Sequence, residues 1–175
     1  MKAIRLVLGI LLSLCSLSLT KAQQFTASVN HYGPENGLSH REVNAIFQDR
    51  QGFMWFGTKF GLNRFDGLKF TAYTQQTNGL DFDDIQSIAQ DSDGLLWLMG
   101  PANKSSITLF NPVSGTAVSF EKRFNKPRPS TFWRDPQVLL GSPDGTIFFA
   151  NYKPATLTSY HPRSGLQEVT LPQYK

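Results

Sequence analysis

A stretch beginning at Asn36 returns 42 positions later, and a chain that repeats itself at this interval has few ways to fold. Asn36-Gly37-Leu38 recurs as Asn78-Gly79-Leu80. Val43-Asn44-Ala45-Ile46-Phe47-Gln48-Asp49 matches Ile85-Gln86-Ser87-Ile88-Ala89-Gln90-Asp91 at the same offset. Gly52 then matches Gly94, and Trp55 matches Trp97. Gly57 falls opposite Met99 with Gly100 one place on, so the register slips there. Phe65-Asp66-Gly67 finds its counterpart in Phe110-Asn111-Pro112, offset by 45, which places a three-residue insertion near Pro101–Ser106. A weaker third copy follows. Val138–Ser142 stands for the first segment, and Asp144-Gly145-Thr146-Ile147-Phe148-Phe149 stands for the Gly-x-x-Trp segment, with Phe148 in the Trp position. Tyr160-His161-Pro162 replaces Phe65-Asp66.

Each copy reads as four short strands. In the first these are about Val43–Gln48, Phe53–Thr58, Leu62–Phe65 and Lys69–Tyr73. Asp49-Arg50-Gln51-Gly52 joins the first two, with Gly52 supplying the positive φ that such turns favour. Asp66-Gly67 is the turn signal between the last two. With 14 Gly and 10 Pro spread along the chain, long helices are disfavoured. A repeated four-stranded unit of roughly 40–45 residues is the signature of a β-propeller blade. The expected fold is therefore all-β, a partial β-propeller of about three four-stranded blades. Blade one covers 36–77, blade two 78–125 and the weak blade three 126–175. Trp55, Trp97 and Phe148 form the repeat core, and Gly52, Gly94 and Gly145 are the turn positions. Residues 23–35 hold a further strand candidate, Phe25–Tyr32, whose alternation suits the strand that closes a ring. Propellers have typically about 4–8 blades, so three predict the first part of a longer protein or a truncated product.

Residues 1–22 are of another kind. Lys2 and Arg5 precede an apolar run from Leu6 to Leu19, and Thr20-Lys21-Ala22 ends it with small residues at the positions a signal peptidase reads. The run is shorter than the about 20 residues of a membrane span. The layout is that of a secretory signal peptide cut between Ala22 and Gln23, which predicts a periplasmic or cell-surface location. Removing it takes Lys2, Arg5 and Lys21 from the 17 basic residues, leaving 14 against 13 acidic ones, a net of +1 in place of +4. The basic balance of the whole chain is thus no sign of nucleic-acid binding. Cys15, the single cysteine, leaves with the same segment. Disulfides, thiol chemistry and Cys-ligated zinc are excluded from the remainder.

Asn36–Tyr73 and Asn78–Gly100 resemble the two-component regulator propeller repeat. The pattern is Gly-Leu-Ser, Val-x-x-Ile-x-Gln-Asp, Gly-x-x-Trp-x-Gly-Thr and Gly-Leu-x-Arg-Phe-Asp-Gly. Blade one keeps all of it, from Gly37-Leu38-Ser39 to Arg64-Phe65-Asp66-Gly67. Blade two departs at Leu98-Met99-Gly100 and lacks Gly-Leu-x-Arg, and blade three departs most. The resemblance implies the N-terminal periplasmic sensor region of hybrid two-component systems in Bacteroidetes, which typically recognise oligosaccharides. It implies an oligosaccharide ligand and, if the chain is a fragment, the rest of the sensor propeller as partner; the residues themselves offer no catalytic, metal or cofactor pattern, and the apolar run is too short for a membrane span in this chain. The histidine kinase of longer members is absent from it. Two alternatives stand beside this reading: a fragment of a streptogramin lyase-like propeller enzyme, which Asp93-Gly94-Leu95-Leu96-Trp97 partly fits, and a non-functional truncated remnant.

The residues that could carry chemistry are few, and no ligand-binding residue stands out. Asp91-Ser92-Asp93-Gly94 looks like part of a calcium loop, but Leu95-Leu96-Trp97 follows where further oxygen ligands belong; hairpin chemistry is the reading preferred. Asp81, Asp83 and Asp84 crowd before blade two and read as a solvated loop, with a cation or sugar site as the sharper alternative. His31, His40 and His161 show no metal spacing, and Ser39-His40 is the one adjacent hydroxyl–imidazole pair. Lys122–Pro129 is the basic cluster. Phe132-Trp133-Arg134 could offer a sugar an aromatic platform.

Overall fold

The second strand of each copy is apolar at successive positions, Met54-Trp55-Phe56, Leu96-Trp97-Leu98-Met99 and Ile147-Phe148-Phe149, and since successive side chains of a strand go to opposite faces, both faces of such a sheet call for cover. The computed structural model describes residues 27–101, 107–125, 138–152 and 155–170. Within Tyr32–Lys175, which forms one unit, the three copies make three separate four-stranded antiparallel sheets. The first holds β1 (Val43–Gln48), β2 (Met54–Thr58), β3 (Gly61–Phe65) and β4 (Phe70–Tyr73). The second holds β5 (Ser87–Gln90), β6 (Leu96–Met99), β7 (Ile107–Asn111) and β8 (Thr116–Ser119). The third holds β9 (Val138–Gly141), β10 (Ile147–Tyr152), β11 (Ala155–His161) and β12 (Gly165–Thr170). Strands are neighbours in chain order in every sheet. Two short helices, α1 (Gln75–Asn78) and α2 (Phe120–Phe124), follow the first two sheets. The fold is the all-β blade architecture the repeat predicts, and the four strands expected in copy one are found within a residue or so of their places.

The first strands lie side by side, β1 by β5 and β5 by β9, so the sheets fan out from a common inner edge. Two apolar layers fill the spaces between them. Trp55, Leu62 and Tyr73 of the first sheet meet Ile88, Leu96, Leu98 and Phe110 of the second. Trp97, Met99, Ile107 and Leu109 on the opposite face of the second meet Leu139, Ile147, Phe149 and Tyr160 of the third. Trp55 and Trp97 are fully buried, and each removes on the order of 150–250 Å² from water. Their rings pack on aromatics of the next sheet, Trp55 on Phe110 at 5.7 Å and Trp97 on Tyr160 at 4.7 Å between centroids.

The ladder register makes the copies equivalent. Trp55 stands opposite Phe47 and Arg64, Trp97 opposite Ala89 and Leu109, and Phe148 opposite Leu140 and Ser159. Phe148 therefore faces away from the second sheet and is half-buried, with Leu140 beside it 60% exposed. The aromatic of the third sheet that is fully buried is its neighbour Phe149. The other outer face, on the first sheet, exposes 64% of Ile46 beside half-buried Phe56, Phe65 and Phe70.

The strand expected over Phe25–Tyr32 is not formed in its described part. Residues 27–32 are exposed and have no regular structure. Alternation supplies two faces, but a strand also needs a paired edge for its N–H and C=O groups, and no ladder pairs these residues. The leader 1–22 with its Ala22–Gln23 cut, most of the insertion near Pro101–Ser106, residues 126–129 of the basic cluster and Phe132-Trp133-Arg134 lie outside the described residues. Among the described residues no helix is long and apolar enough to cross a membrane.

Candidate functional site

The turns between the first two strands of each sheet gather at one end of the inner edge, and their chemistry begins with an aspartate. Asp49 is 5% exposed and Asp91 1%. Asp49 Oδ2 accepts the indole Nε1–H of Trp55 at 2.7 Å, and its Oδ1 accepts the main-chain N–H groups of Gln51 and Phe53 at 2.9 and 3.0 Å. Asp91 repeats this on Trp97 at 2.8 Å and on Asp93 and Leu95, each at 3.0 Å. One carboxylate thus folds the turn and satisfies a buried indole N–H, which would otherwise carry a desolvation cost of about 1–3 kcal/mol. Burial pushes the Asp91 carboxyl above its usual range, against the pull of the Trp97 indole and the turn amides.

In the third sheet both partners change together. Ser142 replaces the aspartate and Phe148, with no N–H, replaces the indole. The exposed Asp144 caps this turn instead, taking the Ser142 hydroxyl and, at 2.9 Å, the Thr146 main-chain N–H. These donors hold its carboxyl down to about 2. Gly52, Gly94 and Gly145 all have φ between 85° and 91°. A Cβ on Gly145 would also come within 2.3 Å of the Ser92 main-chain N, where the third turn abuts the second.

The residue after the aspartate differs in each sheet: Arg50, Ser92, Pro143. Arg50 ties the first sheet to the second through its main-chain N–H, donated to Gln90 Oε1 at 3.0 Å, and through Nη1, donated to the Asp91 main-chain oxygen at 2.7 Å. Gln90 Nε2 in turn donates to Gly94 O at 3.1 Å. Two clefts open on either side of Arg50. One, of about 310 Å³, runs between the first and second sheets past Gln51, Ser92, Asp93, Asn111 and Val113. The other, of about 190 Å³, reaches the third sheet past Phe47, Gln48, Ser142 and Pro143. Among the described residues no carboxylate lies within ion-pair distance of Arg50; the ion pair present is Lys59–Glu42 at 3.7 Å, after the β2 end.

The other residues singled out from the sequence do not converge. Asp81 Oδ2 accepts from Thr108, Asp83 Oδ1 from the Gln75 main chain at 2.8 Å, and Asp84 Oδ1 from Asn44 at 3.2 Å and from Gln86. The three carboxylates share no bonding partner. Among the described residues no group of three or more His, Cys, Asp or Glu is placed to hold a metal. Ser39 and His40 do not engage each other. The Ser39 hydroxyl bonds Thr58 and Asn63, each at 2.8 Å, whereas His40 Nδ1 accepts the Glu42 main-chain N–H at 3.1 Å. His161 Nδ1 caps its hairpin the same way, from Arg163. His31 lies in the unit Met1–His31 and is exposed. Lys122 and Arg123 of the basic cluster are exposed on α2.

Sequence reasoning missed the roles of Asp49, Asp91 and Arg50. The aspartates did leave a signal: an acid six residues before Trp55 and before Trp97, lost in the copy that has Phe148 in that place. Arg50 left none, because it is the member of its position that the other copies do not share.

The two component regulator propeller family matches residues 37–60 and 79–101. Over 64 residues, 37% of this chain, the sequence is 44% identical to histidine kinase P4 of Formosa agariphila, of whose length the match spans 5%. Among solved structures, the extracellular domain of BT3049 from B. thetaiotaomicron, assigned to a hybrid two component system, superposes with a TM-score of 0.62 at 22% identity, over 82% of this chain and 21% of that one. Virginiamycin B lyase from Staphylococcus aureus superposes with a TM-score of 0.56 at 18% identity, over 75% of this chain and 42% of that one. Both likenesses are of fold. Residues 37–60 and 79–101 are thus two component regulator propeller repeats.

Proposed function

We propose that the chain supplies the N-terminal propeller portion of an extracytoplasmic sensor in a hybrid two-component regulator, and that it binds an oligosaccharide. The observation that carries this reading is the pair of regulator propeller repeats, the first of them within a sequence that keeps the whole blade pattern. The 44% identity to a stretch of a histidine kinase supports it, as does the apolar leader Leu6–Leu19, which fits export to the periplasm or cell surface. Further sheets of the sensor propeller are its natural partners, since the outer faces at Ile46 and Phe148 repeat the chemistry of the faces already packed. Phosphoryl transfer would reside in other parts of such a regulator.

The clefts beside Arg50 have the chemistry a sugar needs. Amide and hydroxyl groups of Gln51, Ser92 and Asn111 can exchange hydrogen bonds with sugar hydroxyls, while Val113 offers an apolar edge. Screening the full chain against an immobilised oligosaccharide array tests the reading. Retention on one structural class of glycan is the expected result, and no retention across plant, algal, host and microbial glycans would overturn it.

A further inference from the structure

We propose that Arg50 makes the cleft between the first and second sheets a site for an acidic oligosaccharide, with a carboxylate or sulfate of the sugar seated on its guanidinium. The inference rests on the sensor reading above and names the charge of the ligand. Arg50 is fixed before any ligand arrives. Its main chain is held by Gln90 and its Nη1 by the Asp91 carbonyl, 3.0 and 2.7 Å away. A guanidinium has five N–H donors in a planar fork; among the described residues only its Nη1 is taken, by the Asp91 carbonyl, and Arg50 lines the cleft. No carboxylate of the described residues pairs with this charge. The adjacent Asp49 and the facing Asp91 are both buried, and each is committed to its tryptophan and its own turn.

A fixed fork with open donors and no acid partner suits a planar carboxylate or a sulfate oxygen pair, which it can bind through two parallel bonds. A neutral hydroxyl would use only one of them. Asp93 lines the same cleft. Its exposed carboxylate repels a second negative charge but accepts sugar hydroxyls, so it orients the ring with the acid group toward Arg50. Ser92 and Pro143 occupy the equivalent turn positions, so the feature occurs once among the three sheets and is no requirement of the blade.

Titration calorimetry of the full chain with tetragalacturonate, its fully methyl-esterified form and a sulfated tetrasaccharide tests the proposal. The expected result is that an acidic form, carboxylated or sulfated, binds about tenfold or more tighter than the ester, the worth of a charge-assisted bond, and that added salt narrows the gap. Arg50→Gln should erase the preference, while Arg50→Lys, which keeps charge without the fork, should retain part of it. Both keep the main-chain bond to Gln90, so their melting points should stay near that of the parent. Binding of the ester as tight as that of both acidic forms, or a preference that survives Arg50→Gln, would overturn the proposal and leave the sensor reading intact. Binding of none of the three, while the array retains a neutral glycan, would overturn the proposal alone; no retention on the array either would overturn both.

Discussion

Asp91 grips Trp97 across the hairpin between them: one carboxylate oxygen takes the indole N–H at 2.8 Å and the other takes two main-chain N–H groups of the turn. The same relationship joins Asp49 to Trp55. Replacing Asp91 with Asn leaves a single acceptor oxygen for what two oxygens hold, so either the indole or the turn loses its partner. We expect Asp91→Asn to lower unfolding free energy by about 1–3 kcal/mol in urea titrations. Asp93→Asn, on the exposed side of the same turn, should change it by less than about 0.5 kcal/mol.

Asp91 and Asp144 pull stability in opposite directions with pH. Burial raises Asp91 above the ordinary 3.8. Its folded form therefore holds a proton longer than the unfolded form does, and stability from this group rises as pH falls from the raised value to 3.8. Asp144, held down to about 2 mainly by the Ser142 hydroxyl and then Thr146, contributes stability above 3.8 that is lost as pH falls through about 2. Carbon-detected titration of the carboxyl groups should show Asp91 above 3.8 and Asp144 far below it. Trp97→Phe should push Asp91 higher still, and Ser142→Ala should bring Asp144 back up.

Gly94 and Gly145 share a positive φ but not their surroundings. A Cβ on Gly94 meets nothing within 4 Å, whereas one on Gly145 meets the Ser92 backbone. Gly94→Ala should cost about 1–2 kcal/mol from the left-handed backbone alone. Gly145→Ala should cost more, since the clash is with main chain of the neighbouring sheet and cannot be relieved by a rotamer. Thermal melts of the two variants compare them directly.

Much of this fold was legible because one pattern is written more than once. The spacing of Gly52 to Trp55 and of Gly94 to Trp97 fixes a strand after a turn, and the strands of copy one follow. What could not be read is which neighbour each face meets. Phe148 stands in the tryptophan's ladder position and, like Trp97, faces away from the preceding sheet, whereas Phe149, the next residue, faces back and fills the space against Trp97. Phe149→Ala should therefore cost about 3–5 kcal/mol, and Phe148→Ala under half of that, by the same urea titrations. The Phe25–Tyr32 alternation shows the converse: a strand pattern without a paired edge gives no strand over residues 27–32. Arg50 was invisible because repeats reveal what copies share, and its candidate role lies in what they do not.

A buried aspartate locks the tryptophan of each of the first two sheets. Hydrogen exchange of the indole N–H groups, followed by NMR on the full chain with assigned tryptophans, tests it most directly. Trp55 and Trp97 should exchange far more slowly than free tryptophan, and Asp49→Ala and Asp91→Ala should each release only their own indole. Exchange of both indoles at the free rate in the unaltered chain would show that the aspartates do not hold them.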